Sequence, residues 1–106
     1  MPKYLLQVSY TAEGARGLMK EGGTSRRAMV EQLLKETGGS LEAFYFAFGE
    51  DDVVTIVDVP DAKTVTALSL TVGASGAAQV KTTVLLSPED VDDAAQISIG
   101  YRAPGA

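Results

Sequence analysis

Only four residues, Gly49-Glu50-Asp51-Asp52, separate two runs of β-forming residues, Leu41–Phe48 and Val53–Val59. A connection that short joins only antiparallel neighbours, so the middle of the chain is a β-hairpin. The remaining elements are placed around it. Lys3–Tyr10 is rich in β-formers and reads as a first strand, and Ala78–Leu86 reads as the fourth. Ala12–Glu21 carries Ala15, Leu18 and Met19 at helical spacing and stops at Gly22-Gly23. A stronger helix follows, through about Glu36, with Thr24 or Ser25 as its N-cap. Met29, Val30, Leu33 and Leu34 form its apolar stripe, while Arg26, Arg27, Glu31 and Lys35 are expected to face outward, Glu31 and Lys35 as an i,i+4 pair. Gly38-Gly39 supplies a left-handed exit. Beyond Pro60, Asp61 caps a helix carrying Val65, Leu68 and Val72, which ends in Gly73-Ala74-Ser75-Gly76. Ser87 and Pro88 open a short acidic helix, and the tail holds a β-like piece at Ile97–Tyr101.

The order β-α-β-β-α-β predicts an α+β, ferredoxin-like fold: a four-stranded antiparallel sheet with the two crossover helices on one face, plus the C-terminal helix and tail. Right-handed crossovers put the first and third strands in the centre. The 106 residues suit one domain, with residues 1–95 as its core and 96–106 as a tail.

Strict alternation along the second strand puts Leu41, Ala43, Tyr45 and Ala47 on one face and Glu42, Phe44, Phe46 and Phe48 on the other. The third strand offers Val53, Thr55, Val57 and Val59 on one side and Val54, Ile56 and Asp58 on the other. Both sheet faces are therefore apolar, and two helices cover only one. A second copy of the chain is the expected cover, with Phe44, Phe46, Phe48 and the tail residues Tyr101 and Arg102 as interface candidates. The alternative is that the C-terminal segment folds across the open face. At the hairpin, Gly49 is expected to occupy a backbone conformation unfavourable to a residue with a Cβ.

Nine Lys and Arg against fourteen Asp and Glu give a net charge of −5, which disfavours nucleic acid and anionic membranes as partners. The chain contains neither Cys nor His. Disulfides, thiolate chemistry, the usual zinc sites and every His-based triad are thereby excluded. No metal and no cofactor is expected. No long apolar segment suggests a signal peptide or a membrane span, and a cytoplasmic location is expected. Aromatics on such a sheet suit base stacking in RNA-binding modules, yet the strands carry few Lys or Arg and no basic-aromatic run.

Two candidate sites stand out. Thr24, Ser25, Arg26 and Arg27 follow a Gly-Gly pair at a helix start, where free N–H groups, hydroxyls and guanidiniums could hold a small carboxylate or phosphate. The spacing is not that of a P-loop, and a capped helix with solvated arginines explains the same residues. The second candidate is the acidic hairpin with Asp58. Asp52 is expected to bond turn N–H groups, and Asp58, in an apolar strand, is either a carboxylate of raised pKa or half of an ion pair with Lys or Arg.

The run Phe48-Gly49-Glu50-Asp51-Asp52-Val53-Val54, followed by Ile56-Val57-Asp58-Val59-Pro60-Asp61, resembles the signature of the GYD domain. Gly38-Gly39 before Leu41 and Ser75-Gly76 before the last strand extend the resemblance over nearly the whole chain. Asp52 matches the motif's acidic residue, whereas Asp51 stands where the name-giving tyrosine would be. The resemblance implies a ferredoxin-like α-β plait and carries no activity with it. Three functional readings follow: a homo-oligomeric, non-enzymatic binding or assembly module; an enzyme resembling cofactor-independent monooxygenases or isomerases of the dimeric α-β-barrel type; and a small-anion sensor at the Arg26-Arg27 corner. The enzyme reading needs a perturbed carboxylate such as Asp58, since no His is available as a base.

Overall fold

The computed structural model describes residues 1–106. The chain runs β1 (Lys3–Tyr10), α1 (Ala12–Glu21), α2 (Gly23–Glu36), β2 (Ser40–Phe46), β3 (Val53–Asp58), α3 (Ala62–Ala74), β4 (Ala78–Leu85) and α4 (Pro88–Ala95). Its single sheet has the order β2-β3-β1-β4, with every neighbouring pair antiparallel. The expected ferredoxin-like arrangement is thus present, with β1 and β3 at the centre.

The alternation of β3 sets the two faces. Val53, Thr55, Val57 and Val59 are buried, while Val54, Ile56 and Asp58 between them are only partly covered. Val57 and Val59 of the buried set meet Tyr4 of β1, Leu34 of α2 and Val65 of α3 in one core cluster. Helix α2 leans on β2 and α3 leans on β4, so the two helices share a face without closing against each other.

Strand β2 departs from strict alternation. Leu41 pairs with Val57, but Ala43 pairs with Ile56 and Phe44 with Thr55, which is a β-bulge. One extra residue in β2 reverses the facing of everything after it. Leu41 therefore joins Phe44 and Phe46 on the helix side, and Ala43 and Tyr45 lie on the other. The buried Thr55 hydroxyl donates to the carbonyl of Ala43 at 2.6 Å, satisfying an acceptor at the bulge.

Several local expectations are corrected. Helix α2 starts at Gly23, and its N-cap is Gly22, at φ +90°, with no side-chain cap bond. Thr24 and Ser25 therefore lie inside the first turn. The Gly22 N–H bonds the carbonyl of Leu18 at 2.8 Å, so one left-handed residue ends α1 and starts α2. Glu31 reaches back to Arg27 at 3.6 Å, and no ion pair forms with Lys35. At the hairpin, Phe48 takes the positive φ of 53°, whereas Gly49 does not. Ile97–Tyr101 forms no strand, because no sheet edge lies beside it. The caps on the other helices are as expected: Asp61 on α3, and Ser87 with Asp90 in a capping box on α4.

Helix α4 and the tail project from this body. Every residue from Leu86 onward is exposed. The Cα radius of gyration is 17.0 Å, against ~13 Å for a compact chain of about 100 residues. The C-terminal segment does not fold across the sheet.

Two expectations follow. A Cβ on the buried Gly14 would overlap the carbonyl oxygen of Ala77, whereas one on Gly49 would meet nothing. Gly14→Ala should therefore cost roughly 2 kcal/mol, outweighing its gain in helix propensity, and Gly49→Ala should stay within about 0.5 kcal/mol of the parent; urea unfolding reads both. The backbone N–H and hydroxyl of Thr64 donate to Asp61 at 2.9 and 2.8 Å and hold its carboxyl below its ordinary value of 3.8. The stabilisation is complete above that value and is lost as pH falls through the lowered one. Asp61→Asn, which caps without titrating, should therefore lessen the stability lost as pH falls below about 4 in chemical denaturation.

Candidate functional site

The splay of α2 and α3 leaves a cavity of about 310 Å³ between the helices and the sheet. Its floor is Leu6, Val8 and Tyr10 of β1, Phe44 of β2, Val53, Thr55 and Val57 of β3, and Ala78 and Val80 of β4. Its roof is Met29, Val30, Leu33 and Leu34 of α2 with Leu68, Ser69, Thr71 and Val72 of α3. Small residues on the α3–β4 side (Ser69, Ser75, Ala77 and Ala78) leave the space that larger ones would fill.

Arg26 is the one charged residue in the wall. It precedes Val30 by four residues and so shares the apolar stripe of α2 rather than facing solvent. Its side chain is 29% exposed, and the nearest carboxylate oxygen, on Glu21, is 3.9 Å away, too far for a hydrogen bond. The guanidinium also lies beside the Tyr10 phenol. Burial raises the Tyr10 pKa, and the neighbouring Arg26 opposes that rise without cancelling it. The phenol is thus held as a hydroxyl.

The structure therefore divides the anion-binding candidate. Arg26 turns into the cavity, Arg27 stays outside with Glu31, and Thr24 and Ser25 are exposed. Phe44 and Phe46 also face the helices, in an edge-to-face pair with centroids 5.3 Å apart, and Phe46 packs against Gly23. Phe48 stacks on Phe46 at 5.8 Å and is mostly exposed. Neither Phe44 nor Phe46 is placed on the open side of the sheet. Tyr101 and Arg102 lie exposed in the projecting tail.

The open side carries Leu5, Tyr45, Val54 and Ile56, with ionic groups at both ends. At one end Lys3 binds Asp58 at 3.0 Å and Glu42 at 3.1 Å. These two carboxylates, Asp58 foremost, raise the Lys3 pKa. At the other end Asp51 is buried and accepts from Gln7 at 3.1 Å, Ser9 at 3.2 Å and Lys81 at 3.1 Å. Asp52 does not serve the turn; it accepts from the backbone N–H of Tyr10 at 2.7 Å and ties the hairpin to the end of β1. Asp58 is thus the ion-pair partner that the sequence allowed for.

Sequence reasoning missed Tyr10 and Thr55 as site residues, and named Asp51 within the acidic hairpin without its network. Counting back four from Val30 would have placed Arg26, already an anion-binding candidate, on the apolar stripe. No local signal marks Asp51, whose partners come from β1 and β4.

No helix is long and apolar enough to cross a membrane. The GYD domain family model matches residues 4–95, and the chain belongs to that family. Searches of the curated proteins and of the solved structures return no match.

Proposed function

We propose that this member of the GYD domain family is a homo-oligomeric binding and assembly module, in which a second copy covers the open face of the sheet. The observation that carries this reading is the pairing of an uncovered apolar sheet face with an uncovered apolar arm in one chain. Tyr45 is 71% exposed on that face, and Ile97, Ile99 and Tyr101 are 66%, 79% and 77% exposed on the arm. Only ten of the 106 residues are buried, so the isolated chain keeps an unusually small core for its length. Apolar area of this kind, flanked by polar groups, is characteristic of interaction surfaces. Among the flanking charges Lys3 pairs with Asp58 and Lys81 with Asp51, while Glu42 shares Lys3 and leaves one negative charge for a partner to match.

The enzyme reading gains no such support. Asp58, the carboxylate it relies on, is ion-paired to Lys3 on the side of the sheet away from the cavity. The anion-sensor reading keeps Arg26 and loses Arg27, because the two side chains diverge.

Sedimentation velocity at micromolar concentration tests the assembly. A dimer or larger species is expected. Tyr45→Glu and Ile99→Glu alter side chains that are exposed in the single chain, and each should shift the population toward monomer without lowering the monomer's own stability. A monodisperse 11 kDa species for the parent chain would remove this reading.

A further inference from the structure

We infer that the cavity beneath α2 and α3 is a binding site for a small amphiphilic monocarboxylate, its apolar body in the cavity and its carboxylate between Arg26 and the Tyr10 hydroxyl. This inference does not rest on assembly, since every lining residue comes from one chain. The cavity's volume of about 310 Å³ lies at the lower end of the range of ~300–1,000 Å³ that ligand pockets occupy, which sets the size of the guest.

The polar groups of the wall decide its chemistry. Fifteen of the twenty lining residues are hydrophobic; the others are Arg26, Thr55, Ser69, Thr71 and Ser75. Each of the four hydroxyls already has a partner. Thr55 donates to Ala43, Thr71 to Ala67 at 2.7 Å and Ser75 to Val72 at 2.6 Å, and Ser69 pairs with Thr82 at 2.9 Å. That leaves the Arg26 guanidinium and the Tyr10 phenol as the side-chain groups to meet a guest. Both are donors: the guanidinium always, and the phenol at any pH below its ordinary value of 10.0, which burial raises further. Two adjacent donors, one of them cationic, fit an anionic acceptor and repel a cation.

Charge balance disfavours the neutral alternatives, because the ion-pair partner of Arg26, Glu21, stands 3.9 Å away and outside hydrogen-bond range. A guest closing the cavity mouth removes water from Arg26, and a desolvated guanidinium is costly without a counter-charge. A carboxylate supplies it, whereas an alcohol does not. No Asp or Glu lines the cavity: Glu21, outside it, pairs with the guanidinium only at 3.9 Å, and the nearby Asp52 is held by the Tyr10 backbone N–H. With one guanidinium and a net charge of −5, the site suits a single negative charge and not a polyanion.

The probes are octanoate and its neutral analogue octan-1-ol, titrated into methyl-labelled protein and followed by NMR. Octanoate should shift the methyls of Leu6, Val30 and Leu68 saturably and leave those of Leu5 and Ile56, on the opposite sheet face, in place. It should bind at least about tenfold more tightly than octan-1-ol. Arg26→Gln should weaken octanoate by about tenfold or more and change octan-1-ol by less than about twofold. Ser69→Leu, which fills the cavity and retains Arg26, should abolish both. The inference is overturned if octanoate leaves the cavity methyls unmoved, or if the acid and the alcohol bind the parent chain alike. Full octanoate affinity in either variant overturns it as well. The acid-to-alcohol comparison needs no variant, so it decides the matter even if a substitution prevents folding. Sedimentation of the ligand-free protein is read separately, so failure of the ligand site and failure of assembly are distinguishable.

Discussion

The hydrogen bond from the buried hydroxyl of Thr55 to the carbonyl of Ala43 is the contact on which the two-faced character of the sheet depends. It stabilises the bulge that takes β2 out of strict alternation. With Leu41 opposite Val57, an unbulged β2 would send Phe44 and Phe46 to the open face and turn Tyr45 toward the helices. The bulge instead places both phenylalanines beneath α2, where Phe44 becomes a wall of the cavity. It leaves Tyr45 as the large aromatic on the other side. One buried threonine thus separates the surface that holds the helices from the open surface that bears Tyr45.

The cavity is the second consequence of the same geometry. Helix α2 follows β2 and α3 follows β4, the two edge strands, so the helices stand apart above the central pair. Leucines and valines fill most of the gap, but the small side chains of α3 and the start of β4 do not. A cavity lined this way is stable only if the lost packing is modest or a guest restores it. Arg26 is the one charged residue in its wall.

Much of this was legible in the sequence, and what was not has identifiable causes. The four-residue connection at 49–52 was enough for the hairpin, and the capping residues Asp61 and Ser87 were visible because side-chain caps have specific chemistry. Gly22 was misread because a glycine cap has no side chain to announce it, and Thr24 and Ser25 next to it offered a more familiar signal. The positive φ was assigned to Gly49, since glycine adopts it freely, yet the turn places it on Phe48, where stacking on Phe46 accompanies the strained backbone. The bulge has no compositional mark; its evidence is a partner strand's threonine. Arg26 was taken as a surface residue from its charge, when its helical phase with Val30 governs where it points.

In the proposed assembly, a second copy covers the face bearing Tyr45 and the arm bearing Tyr101. Residue-resolved hydroxyl-radical footprinting of the intact protein at micromolar concentration tests it most directly. Tyr45 and Tyr101, at 71% and 77% exposure in the single chain, should be protected to nearly the level of the buried Tyr4, and should lose that protection on dilution. If both label at the rate of free tyrosine at every concentration, the open face and the arm remain bare in solution, and the account is wrong.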